Sequence, residues 1–262
     1  MTGRLVEVYA TVTDGRGKYV DNLTGNQFSV LDQHNPQNIT AFESQANQVS
    51  CVLLLDTTGS MLWALPALKN AALRLIDELR PGDSVAIYSF SDRVTELQEF
   101  TTDRAAAKRA VLRTQAFGNT ALYDALARVG QDLGGRPGKK VIVLFSDGKD
   151  NASTLNTDSA IQRAKAAGVP VYTIAQGEAI GQRDLLEQLE GISKATGGVA
   201  FAIEKPGEIG RVFDKVSEDL AHGYLLSFPA PPSEDPAWRN IQVVVPGLRG
   251  LKVRAREGYY PE

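Results

Sequence analysis

The sequence predicts an α/β fold: a doubly wound, mostly parallel sheet with helices on both faces, joined to a small β-sandwich-like domain from the chain's two ends. Wholly apolar runs at residues 52–55 and 141–145 are typical of strands that are buried on both faces. Helical patterns alternate with such runs through the middle of the chain, as they do in βαβ units. Both ends of the chain instead show strand patterns without a helical period.

The middle of the chain carries the alternating elements. The first apolar strand leads into a helix whose apolar residues recur at helical spacing and which ends at Arg80-Pro81-Gly82. Later strands are predicted at residues 85–90, 141–145, 169–174 and 199–203. Later helices are predicted at residues 103–112, 122–133, 158–167, 184–195 and 209–220. Right-handed crossovers between parallel strands place such helices on both faces of one sheet.

The two ends of the chain predict β structure. Strand patterns occur at residues 5–12, 28–31 and 39–42, with a polar turn at Asn35 and Pro36, and again at residues 223–228, 241–245 and 251–255. Each end is too short to enclose a stable core by itself. We therefore predict three segments: residues 1–46 and 223–262 pack together as one β domain, and residues 47–222 form an α/β domain inserted into it.

Composition and charge narrow the range of functions. The net charge of −3 is too small to steer the chain toward nucleic acid. Lys252, Arg254 and Arg256 share one face of the last predicted strand, which we interpret as a solvated face, because nucleic-acid binding needs a broader basic surface. No apolar run approaches the ~18 residues of a membrane-spanning helix. The single cysteine, Cys51, excludes an intramolecular disulfide and is expected to be a buried thiol.

Oxygen-bearing side chains follow both apolar strands. Asp56 ends the first strand and precedes hydroxyls at Thr58 and Ser60; Asp147 follows the second strand, and Thr120 opens a later helix. Ligands bind beyond the carboxyl ends of the strands in open α/β sheets. Because all five side chains offer hard oxygens, we predict that they form a site for Mg²⁺ or Mn²⁺. With two charged donors, the metal stays electrophilic enough to accept an Asp or Glu carboxylate from a partner protein.

These segments also carry a family resemblance. Residues 56–60, Asp-Thr-Thr-Gly-Ser, resemble the Asp-x-Ser-x-Ser signature of von Willebrand factor type A (VWA) domains. Residues 118–126 look like the threonine segment of that family, and residues 145–148 look like its distal aspartate segment. The resemblance implies a Rossmann-like fold and a metal-ion-dependent adhesion site (MIDAS). Thr58 stands where serine is usual, and its extra methyl group can crowd the site.

The flanks extend the resemblance to bacterial "VWFA-related" proteins, on residues 5–14, 23–30 and 253–260. Those proteins usually carry export signals, which implies a periplasmic or extracellular setting. The sequence does not begin with a basic and then apolar signal segment. We therefore expect the mature or trimmed chain of an exported protein, with a cytoplasmic setting as the alternative.

The favoured function is a non-enzymatic, metal-dependent protein-binding or adhesion module. One alternative is a metal-free structural scaffold, in which residues 56–60 are a turn and a helix N-cap. The other is a Mg²⁺-dependent phosphoryl hydrolase with Asp56 as nucleophile. That chemistry commonly needs a second acid or base and a cationic clamp, for which Arg93 and Lys149 are the nearby candidates. Trp63 either borders the site or, as we expect, packs along the first helix.

Overall fold

The computed structural model describes residues 5–44, 48–134, 136, 138–147, 150–176, 181, 183–204, 208–233 and 235–261. A six-stranded sheet occupies the middle of the chain. Its strands are β5 (Val49–Asp56), β6 (Ser84–Phe90), β7 (Val94–Thr101), β8 (Lys139–Ser146), β9 (Val171–Gln176) and β10 (Ala200–Ile203). Their order across the sheet is β10-β9-β8-β5-β6-β7, with β7 antiparallel to β6 and the other described pairs parallel.

Helices cover both faces of this sheet. One face packs against α1 (Leu65–Glu78), α2 (Arg104–Leu112) and α6 (Ile209–Ala221), and the other packs against α3 (Leu122–Gly134), α4 (Thr157–Ala167) and α5 (Arg183–Thr196). Neighbouring residues of β5 show why its sequence is apolar throughout: Leu53 belongs to one core and Leu54 to the other. The predicted doubly wound α/β fold is confirmed. None of the described helices is long and apolar enough to cross a membrane.

Local sequence signals set the helix ends. The Asp103 carboxylate accepts hydrogen bonds from the amides of Ala105 and Ala106, which caps the start of α2. Asn156 caps α4 in the same way through the amide of Ser159. At the other end of α4, Gly168 adopts a left-handed conformation, with φ of 65°, that favours glycine. These caps fix where the chain leaves each helix for the next strand.

The two ends of the chain pair with each other in two antiparallel sheets. The first contains β1 (Leu5–Thr13), β4 (Ala41–Glu43), β11 (Tyr224–Pro229) and β13 (Lys252–Ala255), in the order β13-β1-β11-β4. The second contains β2 (Ser29–Asp32), β3 (Asn35–Gln37), β12 (Arg239–Val244) and β14 (Gly258–Tyr259), in the order β14-β12-β2-β3. One apolar core includes residues of both sheets, among them Val8, Val30, Phe228 and Val243. The β structure predicted for the two ends of the chain is confirmed, whereas the domain boundaries at residues 46 and 222 stay a prediction.

Three features of the structure differ from the sequence prediction. The polar turn predicted at Asn35 and Pro36 is instead strand β3, in which Pro36 lies opposite Leu31 at the edge of its sheet. Strand β7 was not predicted, because a half-exposed edge strand has a weak hydrophobic pattern. The solvated face predicted for the last strand is wrong for Arg254, which forms an ion pair with Asp219 of α6, and for Arg256, which is buried.

The terminal strands contact the end of the central sheet at which β8 begins. The Tyr9 hydroxyl donates to the carbonyl of Gly138 (2.5 Å) and accepts from the amide of Lys140 (3.0 Å). The Lys140 ammonium lies 2.9 Å from the Glu7 carboxylate. Because β8 runs from Lys139 to Ser146, this contact lies at the opposite end of the strand from the carboxyl edge. That edge is where the predicted site residues lie.

A matched pair of glycine substitutions tests the packing between α5, β9 and β10. A Cβ on Gly198 would lie 2.0 Å from the carbonyl oxygen of Val171, so Gly198→Ala should lower the free energy of unfolding by about 2–4 kcal/mol. A Cβ on Gly191, inside α5, meets only Ile161 at 4.0 Å, so Gly191→Ala should raise it by about 0.5–1 kcal/mol. Urea unfolding curves measure both effects. Equal effects of the two substitutions would contradict this packing.

Candidate metal site

Strand register brings the first two site segments together. In the parallel pairing of β5 with β8, Leu55 lies opposite Phe145, so the two strands end side by side at Asp56 and Ser146. The Ser146 hydroxyl donates a hydrogen bond of 2.7 Å to Oδ2 of Asp56. Asp147 is the next residue along the chain. The two carboxylates therefore share one edge of the sheet.

A chain of hydrogen bonds joins four of the five predicted site residues. Oδ1 of Asp56 accepts from the amide of Thr58 at 3.0 Å. The hydroxyl oxygens of Thr58 and Ser60 are 2.9 Å apart, and the Ser60 hydroxyl donates to Oδ1 of Asp147 at 2.9 Å. Because Ser60 has a single proton to donate, Thr58 must be the donor to Ser60. The oxygens of both segments thus face one another, as a shared cation site requires.

Thr120 reaches the same edge through its backbone. Two residues earlier, the carbonyl of Gly118 accepts from the amide of Gly59 at 3.0 Å, inside the Asp56–Ser60 segment. The amide of Thr120 donates to Oδ1 of Asn151 at 2.8 Å, and its carbonyl accepts from the amide of Asn151 at 3.0 Å. The Thr120 side chain is buried. The structure therefore places Thr120 on a loop that is fastened to both other segments.

Several residues that support the site were missed by the sequence analysis. Ser146 holds Asp56, and Asn151 holds Thr120. Asp150 accepts from the amide of Tyr123 at 3.0 Å, and thereby ties the loop after β8 to the start of α3. The cluster of Asp, Asn and Ser at residues 150–153 is a turn signal. That signal does not reveal which distant backbone groups these side chains bind.

Burial sets the electrostatics of the site. Asp56 is 0% exposed, and this burial raises the pKa of its carboxyl group to about 6. Hydrogen bonds from Ser146 and Thr58 lower the pKa, and the nearby charge of Asp147 raises it again. No Lys or Arg in the described ranges forms an ion pair with Asp56. A buried carboxylate beside a second one is stabilised by a cation, so the residues present fit a bound divalent metal.

The donor set and its exposure define what kind of metal fits. The described residues contain no group of three or more His, Cys, Asp or Glu side chains placed to hold a metal, so any metal here depends on hydroxyl oxygens as well as carboxylates. Ser60 is exposed, whereas Asp56, Thr58, Thr120 and Asp147 are buried. The site is therefore open to solvent at Ser60. A ligand from another molecule can approach from that side.

This arrangement, a doubly wound α/β domain with carboxylates and hydroxyls at the carboxyl edge of its sheet, defines a class of domain. The chain belongs to that class: the model of the von Willebrand factor type A domain family matches residues 51–215. Among its curated relatives is a UPF0353 protein of Mycolicibacterium gilvum (strain PYR-GCK), 28% identical over 207 residues. The match covers 67% of this chain and 62% of the length of that relative.

Solved structures show the same fold. A von Willebrand factor type A protein from Catenulispora acidiphila superposes with a TM-score of 0.59 at 16% identity, over 98% of this chain and 75% of that one. Proximal thread matrix protein 1 from the mussel byssus, solved with a zinc-occupied MIDAS motif, superposes with a TM-score of 0.58 at 18% identity. That match covers 72% of this chain and 49% of that one. At these identities the likeness establishes the fold.

The raised pKa of Asp56 predicts how pH affects the metal-free protein. A carboxyl group whose pKa rises on folding stabilises the fold when protonated, and that stabilisation is lost as pH rises from about 4 through about 6. Asp56→Asn stays neutral at every pH but replaces one hydrogen-bond acceptor with a donor. In EDTA at pH 7.5 we expect the variant to be more stable than the wild type by about 1–2 kcal/mol.

Thermal unfolding from pH 4 to pH 8 measures this effect. The advantage of Asp56→Asn should shrink toward pH 4, where Asp56 of the wild type is protonated as well. The control is Asp158→Asn, at an exposed position in the first turn of α4. A pH-independent difference between Asp56→Asn and the wild type would contradict the assigned pKa.

Proposed function

We propose that this protein is a non-enzymatic binding module in which a divalent metal at the candidate site accepts a carboxylate from a partner protein. The observation that carries the proposal is the buried pair Asp56 and Asp147, which are joined through the amide of Thr58 and the hydroxyls of Thr58 and Ser60, with Ser60 open to solvent. A metal held by two carboxylates and by neutral oxygens keeps residual positive charge. It therefore supplies a coordination position that an Asp or Glu side chain can fill.

Each site residue has a defined role in this proposal. Asp56, Thr58 and Ser60 would bind the metal directly, and Thr120 and Asp147 would bind it either directly or through water. The absence of His and Cys from this set favours Mg²⁺ or Mn²⁺. The zinc-occupied MIDAS of the mussel thread matrix protein supports a divalent metal in this class of site.

The geometry at Thr58 favours this proposal over a metal-free scaffold. The threonine hydroxyl lies 2.9 Å from the Ser60 oxygen, so its oxygen faces the other donors as a serine oxygen would. The Thr58 side chain is also buried. A lapsed site has no need to hold two buried carboxylates side by side, because their mutual repulsion destabilises the fold.

The burial of Asp56 argues against the phosphoryl hydrolase. A nucleophile must be reached by its substrate, and Asp56 is 0% exposed with both carboxylate oxygens engaged by Ser146 and Thr58. Arg93, one of the two candidate phosphate clamps, is exposed, and the other, Lys149, lies outside the described residues. The non-enzymatic function is therefore the one we favour.

The setting of the protein is part of the same proposal. The flanking segments resemble those of exported bacterial proteins, so we place the chain in the periplasm or outside the cell. There the partner would be a protein that presents an accessible acidic side chain. Adhesion, in this sense, is metal-dependent attachment to that protein.

Calorimetric titration with Mg²⁺ and Mn²⁺ tests the metal site. EDTA-stripped wild type should bind one metal ion, and Asp56→Ala should weaken binding by more than about 100-fold, because it removes a direct ligand. Asp158→Ala, which removes an exposed carboxylate from the start of α4, should leave metal affinity unchanged. Acetate in a parallel titration supplies the carboxylate that a partner would provide. Failure of the wild type to bind metal even with acetate would support the metal-free scaffold.

A further inference from the structure

Large apolar side chains are exposed beside the candidate metal site. Among the described residues, the exposed large hydrophobics are Leu5, Leu62, Trp63, Leu112, Phe117 and Leu248. Three of these six belong to the two chain segments that border Ser60, and Trp63 is the most exposed of all at 90%. Phe117 is 62% exposed and Leu62 is 58% exposed. We call Leu62, Trp63 and Phe117 the apolar rim.

Backbone hydrogen bonds place the two segments of the apolar rim together. Leu62 ends the short 3₁₀ turn Gly59–Leu62, which contains Ser60, and Trp63 follows directly. The amide of Phe117 donates to the carbonyl of Thr57 at 2.8 Å, in the same motif segment. The next residue, Gly118, accepts from the amide of Gly59 at 3.0 Å. Both segments are thus anchored within three residues of Ser60, the exposed member of the site.

The apolar rim is not required for packing of the core. Met61, between Ser60 and Leu62, is 0% exposed and fills the core position of this turn. Leu65 and Leu68 of α1 are buried as well, so the first helix already has its apolar contacts. The predicted packing of Trp63 along that helix is therefore wrong. Single exposed hydrophobic residues are common, but a cluster of them beside a binding site marks an interaction surface.

We propose that the apolar rim is the second half of the partner-binding surface, and that the partner presents an acidic residue next to large apolar side chains. This inference rests on the proposed function, because the metal fixes where the partner's carboxylate lies. Coordination of one carboxylate by the metal does not by itself distinguish one acidic partner protein from another. Burial of Leu, Phe or Trp side chains against the apolar rim supplies that discrimination, as buried aromatic anchors do in other interfaces.

A protein segment fits this surface better than a lipid bilayer does. The apolar rim adjoins the segments that hold the Asp56 and Asp147 carboxylates. A third acidic group, the exposed Asp92 carboxylate, accepts a hydrogen bond of 3.0 Å from the amide of Asn119, two residues after Phe117. Insertion of the apolar rim into a membrane would press the exposed Asp92 carboxylate against the headgroups and remove its water. An acidic peptide instead places its charge on the metal and its apolar side chains on the apolar rim.

Fluorescence of Trp63 gives a direct test. The chain has two tryptophans, and Trp238→Phe keeps an aromatic ring beside Tyr260 while leaving Trp63 as the single reporter. The probes are three synthetic heptapeptides that differ in their central residues: Glu-Leu-Phe, Glu-Ser-Ser and Gln-Leu-Phe between Gly and Ser flanks. With millimolar Mg²⁺, Glu-Leu-Phe should shift Trp63 emission to shorter wavelength and bind at least about tenfold more tightly than Glu-Ser-Ser. EDTA, or Gln in place of Glu, should abolish the shift.

Matched variants separate the apolar rim from the metal site. Leu62→Ser and Phe117→Ser should each weaken binding of the Glu-Leu-Phe peptide by roughly tenfold, while calorimetry shows unchanged Mg²⁺ affinity. Leu248→Ser, at an exposed leucine in the terminal β region, should change neither quantity.

The outcomes distinguish this inference from the proposed function. Mg²⁺ binding without a preference for Glu-Leu-Phe, or without any peptide binding, overturns the role of the apolar rim and leaves the metal site standing. A Trp63 shift caused by anionic phospholipid vesicles in EDTA, and not by the peptides, also overturns it in favour of a lipid surface. Failure of the wild type to bind Mg²⁺ overturns the proposed function and this inference together.

Discussion

The parallel pairing of β5 with β8 is the interaction on which the candidate site depends. Leu55 opposite Phe145 brings Asp56 beside Ser146, and the next residue adds Asp147. Both strands are buried on both faces, so their register is fixed by side-chain volume in two cores and by the Ser146–Asp56 hydrogen bond at the end. A slip of one residue would reverse the faces of every side chain in β5. The site is therefore a consequence of how the two helical layers pack.

The site carries an electrostatic conflict that a metal would relieve. Folding buries the Asp56 carboxylate close to that of Asp147 and raises the pKa of Asp56 to about 6. Hydroxyl and amide donors offset part of the lost hydration, but they bring no net positive charge. A divalent cation would supply that charge, and the exposure of Ser60 leaves a path for one more ligand. The same feature that weakens the metal-free fold thus explains both metal binding and partner recognition in the proposed function.

Much of the fold follows from local sequence, and the parts that do not have tertiary causes. The run at residues 52–55 predicts β5, because a short, wholly apolar run that ends at a turn signal is typical of a strand buried on both faces. The packing expected of Trp63 along the first helix is wrong, because Met61, two residues earlier, occupies the core position of that turn. Arg254 follows the period of an exposed strand face, but α6 brings Asp219 against it. The five site residues were predicted as a set, whereas the supporting roles of Ser146 and Asn151 depend on contacts that sequence spacing does not encode.

Crystallographic localisation of Mn²⁺ tests the central claim most directly. Anomalous difference maps, calculated from crystals grown with Mn²⁺, locate the ion without assumptions about its ligands. The account predicts one strong peak at the carboxyl edge of β5 and β8, within about 2.5 Å of oxygens from Asp56 and Ser60. A peak elsewhere, or no peak at this edge while the Ser60–Asp147 hydrogen bond stays intact, would contradict it.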